Sequence, residues 1–139
     1  MSHSVDYYFA PQSPCAYLGH QRFQSILQKS GASVQVMPID LGGKVFPISG
    51  GLPLGQRAPQ RQAYRLTELE RFSKWLGAPL HLKPTFFPVN GDDAGKLIIA
   101  VDMAVGAQEA MAMTVAARCA TLRVPEDRSQ PGGRQLEIP

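Results

Sequence analysis

Val5-Asp6-Tyr7-Tyr8-Phe9, the run from Ser13-Pro14 to Ser30, and Ser33-Val34-Gln35-Val36-Met37 form the stretch that decides the fold. The first segment is short, β-branched and aromatic and stops at Ala10-Pro11-Gln12, the composition of a buried strand ended by a turn. Ser13 ahead of Pro14 has the chemistry of an N-cap followed by proline at the first helical position, where a missing N–H leaves nothing unsatisfied. Behind them Leu18, Phe23, Ile26 and Leu27 carry a helix that stops before Gly31. Residues 33–37 alternate polar and apolar, which puts Val34 and Val36 on one face of a second strand ending at Pro38. The order is β-α-β. A helix crossing between two short strands makes them parallel.

Outward from that unit, residues 41–59 hold five glycines and three prolines and read as a long loop, a length usually kept for function. Pro59 opens a helix with Leu66, Leu69, Phe72, Trp75 and Leu76 on its inward side and Arg65, Glu68, Arg71 and Lys74 outward, closed by Gly77 and Pro79. A proline-rich connector, Leu82 to Asn90, leads to Asp92 as the cap of a helix through Leu97, Ile98 and Val101 to Gly106. A last helix covers Ala107 to about Leu122, before Pro125. Met103, Met111 and Met113 fall at helical spacing and read as core. Residues 123–139 are polar, rich in proline and glycine and aperiodic, and are expected to be a poorly ordered tail.

Composition narrows the function classes. The net charge of +3 comes from 14 basic and 11 acidic residues that are scattered rather than clustered, so nucleic acid is not an expected partner. A few convergent cations would still suit a small carboxylate. Two cysteines, Cys15 and Cys119, lie far apart, which excludes a CxxC redox pair, a CxxC metal half-site and a disulfide framework. The longest apolar stretch, Leu97 to Val101, is too short to span a bilayer, and the opening residues lack a basic segment followed by an apolar run. The expectation is a cytoplasmic chain with no membrane partner and no metal.

Ser13 is the residue on which chemistry turns. A side chain capping a helix behind a buried strand sits among free N–H groups at the positive end of the helix dipole, where a thiolate is stabilised. Serine there can hold a thiolate by hydrogen bonding but cannot form a disulfide. The same dipeptide also reads as an ordinary helix start. His20, about two turns further on, reads as a surface or interface residue rather than a general base.

Asp6-Tyr7-Tyr8-Phe9, Ser13-Pro14-Cys15-Ala16-Tyr17-Leu18, Pro38-Ile39-Asp40-Leu41, Gly50-Gly51-Leu52-Pro53-Leu54, residues 57–64 and Phe87-Pro88-Val89-Asn90 together resemble the 2-hydroxychromene-2-carboxylate isomerase and kappa-class glutathione transferase family, over about the first 120 residues. The resemblance implies an α/β, DsbA-like thioredoxin fold: residues 1–41 as the N-terminal part of the thioredoxin-like domain, 42–122 as an all-helical insertion and 123–139 as the tail. It implies glutathione as cofactor, its sulfur positioned by Ser13, with Asn90 as an amide partner or an ordinary turn residue. The reaction implied is glutathione-dependent isomerisation of a bicyclic carboxylate during aromatic degradation, the thiol adding and leaving again. Lys44, Arg57, Arg61 and Tyr64 are the candidate carboxylate-binding residues; Lys44 and Arg61 read equally as a solvated basic face, Arg57 less so, and Tyr64 reads equally as core. A homodimer is compatible with this reading.

Two departures qualify the resemblance. Cys15 stands where the family usually has an aromatic residue, and no later strand or cis-proline segment facing Ser13 is recognisable after Gly106. The expectation is therefore a chain lacking the second half of the thioredoxin unit. A kappa-like transferase and a non-catalytic fragment that binds a partner through its open sheet edge are the alternatives.

Overall fold

The computed structural model describes residues 3–84, 87 and 89–122, with side chains described as far as Ala117. The expected tail and the side chain of Cys119 lie outside the described residues. β1 (Ser4–Phe9) and β2 (Ser33–Pro38) pair in parallel, in a register running from Ser4 opposite Ser33 to Phe9 opposite Pro38. α1 (Pro14–Ser30) joins them; Ser13 caps its start, and Gly31, at φ 64°, supplies the left-handed residue that ends it. The β-α-β unit therefore stands as read from the sequence.

The region expected as a plain loop contains helical turns. The Asp40 carboxylate accepts from Gly43 N at 2.7 Å, and its carbonyl accepts from Lys44 N and Val45 N, which winds Leu41–Val45 into a π turn. A four-residue helix, α2 (Phe46–Ser49), follows directly, and a 3₁₀ turn at Leu54–Gln56 precedes α3 (Pro59–Leu76). Asp40 has the residue type of a cap, and that was the available signal. α4 (Asp92–Val105) and α5 (Ala107–Leu122) complete the described chain. Asp92 is the first residue of α4 rather than its cap: Gly91 holds the cap position and Asp92 N donates to Asn90 Oδ1 at 2.9 Å.

One face of the sheet carries the core. Phe9 and Val36 cluster with Ile98, Ala110 and Met111, and Tyr7, Ala16, Phe23, Leu27, Val34 and Val101 pack around them. α1, α4 and α5 thus share the face from which Tyr7, Phe9, Val34 and Val36 project. The opposite face is open: Tyr8 is 61% exposed, and Asp6 and Gln35 are also exposed. The expectation of a buried first strand holds for one face only, because period-two alternation sends every second residue to the other side.

Tyr7 locks α1 to β1. Its ring lies 4.4 Å from that of Phe23 and 4.8 Å from that of Phe9, and its hydroxyl is 3.5 Å from His20 Nδ1. His20 is 3% exposed, so it belongs to this inner face and not to the surface. α3 lies against the other side of α1, anchored by Leu69 and by the Tyr17 hydroxyl donating to Pro79 O at 2.9 Å. It buries less than its periodicity suggests. Phe72 and Trp75 are exposed, the latter by 69%, whereas Arg65 and Glu68 turn partly inward. Met111 and Met113 join the core as expected, but Met103 is 84% exposed.

Ile98 is completely buried at the centre of the cluster. Replacing it with alanine is expected to cost about 2–5 kcal/mol in urea unfolding, through lost transfer free energy and the cavity left behind. Met103→Ala on the same helix is expected to stay within about 0.5 kcal/mol. Similar losses for the two would contradict this placement of the core.

Candidate functional site

The chain turns from β1 into α1 through Ala10-Pro11-Gln12-Ser13. Ser13 has extended geometry, φ −76° and ψ 122°; its N–H donates to Ala10 O at 3.0 Å and its carbonyl accepts from Tyr17 N at 3.0 Å. Its Oγ accepts from Ala16 N at 3.4 Å, which is long for an N–H···O bond. Pro14 has no N–H, and the Cys15 N–H has no partner among the described residues. A weakly committed hydroxyl and a free amide therefore meet at the positive end of a 17-residue helix with no acidic residue in its first turn. This point also lies beyond the carboxyl ends of both strands, where open α/β sheets bind ligands.

The segment leading into α4 comes to the same place. Gly91 is packed so closely on the Gln12 amide that an added Cβ would overlap it. Asn90, one of the two expected cofactor residues, is thereby held beside the Gln12-Ser13 turn. Its oxygen accepts from Asp92 N at the start of α4, which realises the turn reading, and its exposed amide N–H₂ makes no bond among the described residues. Gln12 Oε1 is buried without a hydrogen-bond partner. Below Gly91 a small cavity of about 170 Å³ runs between Pro11, Pro38, Asp40, Lys96 and Ile99.

The four expected carboxylate-binding residues do not form one cluster; only Arg61 and Tyr64 meet. Arg57 serves its own loop: Nε donates to Leu52 O at 2.9 Å, the guanidinium lies 5.8 Å from the Phe46 ring centre, and its carbonyl accepts from Gln62 Nε2 at 2.7 Å. Arg61 and Tyr64 cover each other at 5.7 Å, with Tyr64 half exposed rather than core. Lys44 is exposed on the π turn.

A cation within electrostatic reach of Cys15 is Arg65, which the sequence pattern assigned to the outward side. Its guanidinium lies 5.5 Å from the Phe87 ring centre, at the edge of a cleft of about 290 Å³ that includes Gln62, Leu66 and Lys83. Burial draws its pKa below the ordinary value; Cys15 and Glu68 oppose that shift, and Arg57 adds to it. Arg65 thus sits within electrostatic reach of Cys15, two residues from Ser13. Its position four residues after Arg61, on the same helical side, was the signal available in the sequence.

Among the described residues no group of three or more His, Cys, Asp or Glu could hold a metal ion, and no helix is long and apolar enough to cross a membrane. Residues 4–130 match the DSBA-like thioredoxin domain. The chain belongs to that family. It is 30% identical over 86 residues to the 2-hydroxychromene-2-carboxylate isomerase of Pseudomonas putida, a match that covers 62% of this chain and 40% of that protein. A solved structure of 2-hydroxychromene-2-carboxylate isomerase (HCCA isomerase) superposes with a TM-score of 0.61 at 25% identity, covering 85% of this chain and 56% of that one. The chain therefore spans about half the length of these relatives.

The Gln12–Gly91 contact ties the DSBA-like turn to the Asn90 segment. Gly91→Ala is expected to destabilise the protein by about 1–3 kcal/mol, the usual cost of overpacking. Because the clash is with one side chain, Gln12→Ala should relieve most of it. A double-mutant cycle in urea is expected to give a coupling of about 1 kcal/mol or more, and additive effects would mean that the two segments do not meet.

Proposed function

We propose that this DSBA-like chain carries the site of a glutathione-dependent isomerase resembling 2-hydroxychromene-2-carboxylate isomerase, with Ser13 positioning the glutathione thiol. The observation that carries the reading is the state of the α1 terminus: a weakly engaged Ser13 hydroxyl and a free Cys15 N–H, with Arg65 within electrostatic reach of Cys15. That donor set suits a thiolate, because hydrogen bonds and positive charge stabilise the ionised form. The names of the relatives support the same reaction class.

When bound, glutathione supplies a nucleophilic sulfur that adds to an unsaturated substrate and leaves again unchanged. The protein's part is to hold that sulfur ionised and in place. Ser13 donates its hydroxyl proton as a hydrogen bond without losing it, since its own pKa is far above that of a thiol. Asn90 offers its amide N–H₂ to the peptide part of glutathione. Arg65, together with the expected Lys44, Arg57, Arg61 and Tyr64, supplies the groups that attract the carboxylate of the substrate. A cytoplasmic setting fits this reading, since reduced glutathione is maintained there.

A kappa-like transferase would use the same residues but release the sulfur joined to product. Following free thiol during turnover separates the two: it is conserved in an isomerase and consumed in a transferase.

The cap role and the thiol role of Ser13 can be pulled apart. Ser13→Ala is expected to lose only about 0.5 kcal/mol of stability, the low end for a cap because its bond is long, and also to weaken glutathione binding by calorimetry. Ser13→Asp keeps a good cap and so should keep stability, yet it sets a carboxylate against the thiolate, and binding is expected to fall by about tenfold or more. Undiminished binding in Ser13→Asp would remove Ser13 from the site while leaving its cap role intact.

A further inference from the structure

α1 and α3 leave a groove between them, apart from the Ser13 turn. It holds about 330 Å³, and neither Ser13, Asn90 nor Arg65 lines it. Leu18 of α1 and Leu69 of α3, both buried, form its floor. Phe72 and Trp75 stand along it, exposed, with ring centres 6.1 Å apart and planes tilted by 55°. The α1 side runs from Cys15 to Arg22, two helical turns or about 10 Å. Gly19 lies midway along that side. A glycine inside a helix costs stability relative to alanine, yet this one is not in the left-handed region and has nothing within 4 Å of where a Cβ would stand. Neither the backbone nor the packing requires it, and its effect is to leave the groove open beside the two rings.

The charges around the groove favour an anion. Glu68 reaches it, but Arg65, one turn back on α3, acts on Glu68 electrostatically. Arg22 lines the groove and has no ion pair among the described residues. Beyond the rings α3 turns charged, with Glu70 and Lys74 paired at 2.7 Å and Arg71 exposed, so the apolar surface ends with the groove. A stable protein interface needs about 800 Å² on each side, and a patch confined in this way suits a small molecule instead. Two tilted ring faces over an aliphatic floor take a flat aromatic system in offset or edge-to-face contact. The length of about 10 Å leaves room for two fused rings and one anionic group.

We propose that the α1–α3 groove is a second binding site, separate from the thiol site, for a planar aromatic anion whose rings lie against Phe72 and Trp75 and whose charged group meets Arg22. The site needs no glutathione and none of the residues assigned to the thiol.

Trp75 is the single tryptophan of the chain, so its emission reports on this groove. Titrating the full chain with naphthalene-2-sulfonate, without glutathione and with correction for ligand absorption, is expected to quench that emission saturably, with a dissociation constant below about 1 mM. The neutral 2-naphthalenemethanol is expected to bind about fivefold or more weakly, for want of a charge-assisted bond. Gly19→Leu sets a side chain in the groove without a clash and replaces a poor helix former by a good one. It is expected to keep or raise the melting temperature and to abolish the quenching. Arg22→Gln is expected to keep the melting temperature and to bring the sulfonate down to the affinity of the alcohol. Three results overturn the proposal: no saturable quenching, quenching that survives in folded Gly19→Leu, or an affinity for the sulfonate that Arg22→Gln leaves unchanged. A dimer of the free chain by light scattering that Gly19→Leu dissolves also overturns it and makes a second copy the occupant.

Discussion

Two parallel strands cannot be joined by a tight turn, and the rest of this structure depends on that constraint. The return from the end of β1 to the start of β2 requires a crossover, which α1 supplies, and Gly31 lets the chain leave the helix within two residues of β2. Because the strands run the same way, both end on the same side of the sheet. The α1 cap, the Asp40 turn and the entry to α4 all gather there. The candidate site is a consequence of strand direction before it is a consequence of any side chain.

The same topology explains where the apolar groups went. With α1, α4 and α5 all on one face, the core is well filled there, with Ile98 and Thr114 fully enclosed and the Thr114 hydroxyl donating to Ala110 O at 2.8 Å. The opposite face has no helix among the described residues. α4 shows a related imbalance, being apolar nearly all round with Leu97, Met103 and Val105 facing solvent. Helices of that composition are usually enclosed on every side. The exposed face of α4 and the open face of the sheet, like Phe72 and Trp75 on α3, are apolar surfaces that the described residues leave uncovered.

Local signals in the sequence carried the elements but not their mutual orientation. Ser13-Pro14, Gly31, Pro59 and Gly77 mark helix ends by backbone chemistry, which acts within a residue or two, and each marks the boundary found. The family resemblance likewise rests on linear motifs and agrees with the match over residues 4–130. What failed was the choice of face. On α3 a stripe containing Phe72 and Trp75 looks like the buried side, yet only Leu69 of it is fully buried, and Phe72 and Trp75 line an open groove of about 330 Å³ against Cys15, Leu18 and Arg22 of α1. Arg65 and His20 were misplaced for the same reason: their surroundings are set by residues distant in sequence, such as Phe87 and Tyr7. The Gln12–Gly91 contact has no signature in either local sequence at all.

On the proposed reading, the substitution of serine for a reactive cysteine changes the kind of chemistry and not only its rate. A cysteine at the cap would keep its sulfur covalently in the protein and cycle through disulfides, which needs a second thiol at hand. Here Ala16 occupies the place of that second thiol, and Cys15 is exposed and two residues past the cap. A hydroxyl has no redox cycle to offer, but it does what a cap needs, and its hydrogen remains available to another acceptor. The long 3.4 Å bond from Ala16 N means that little helix stability is tied to its exact position. A cap engaged this loosely can turn toward a sulfur brought in from outside with little cost to the helix. The helix dipole, the unpaired Cys15 N–H and Arg65 then act on that sulfur as they would on one belonging to the chain.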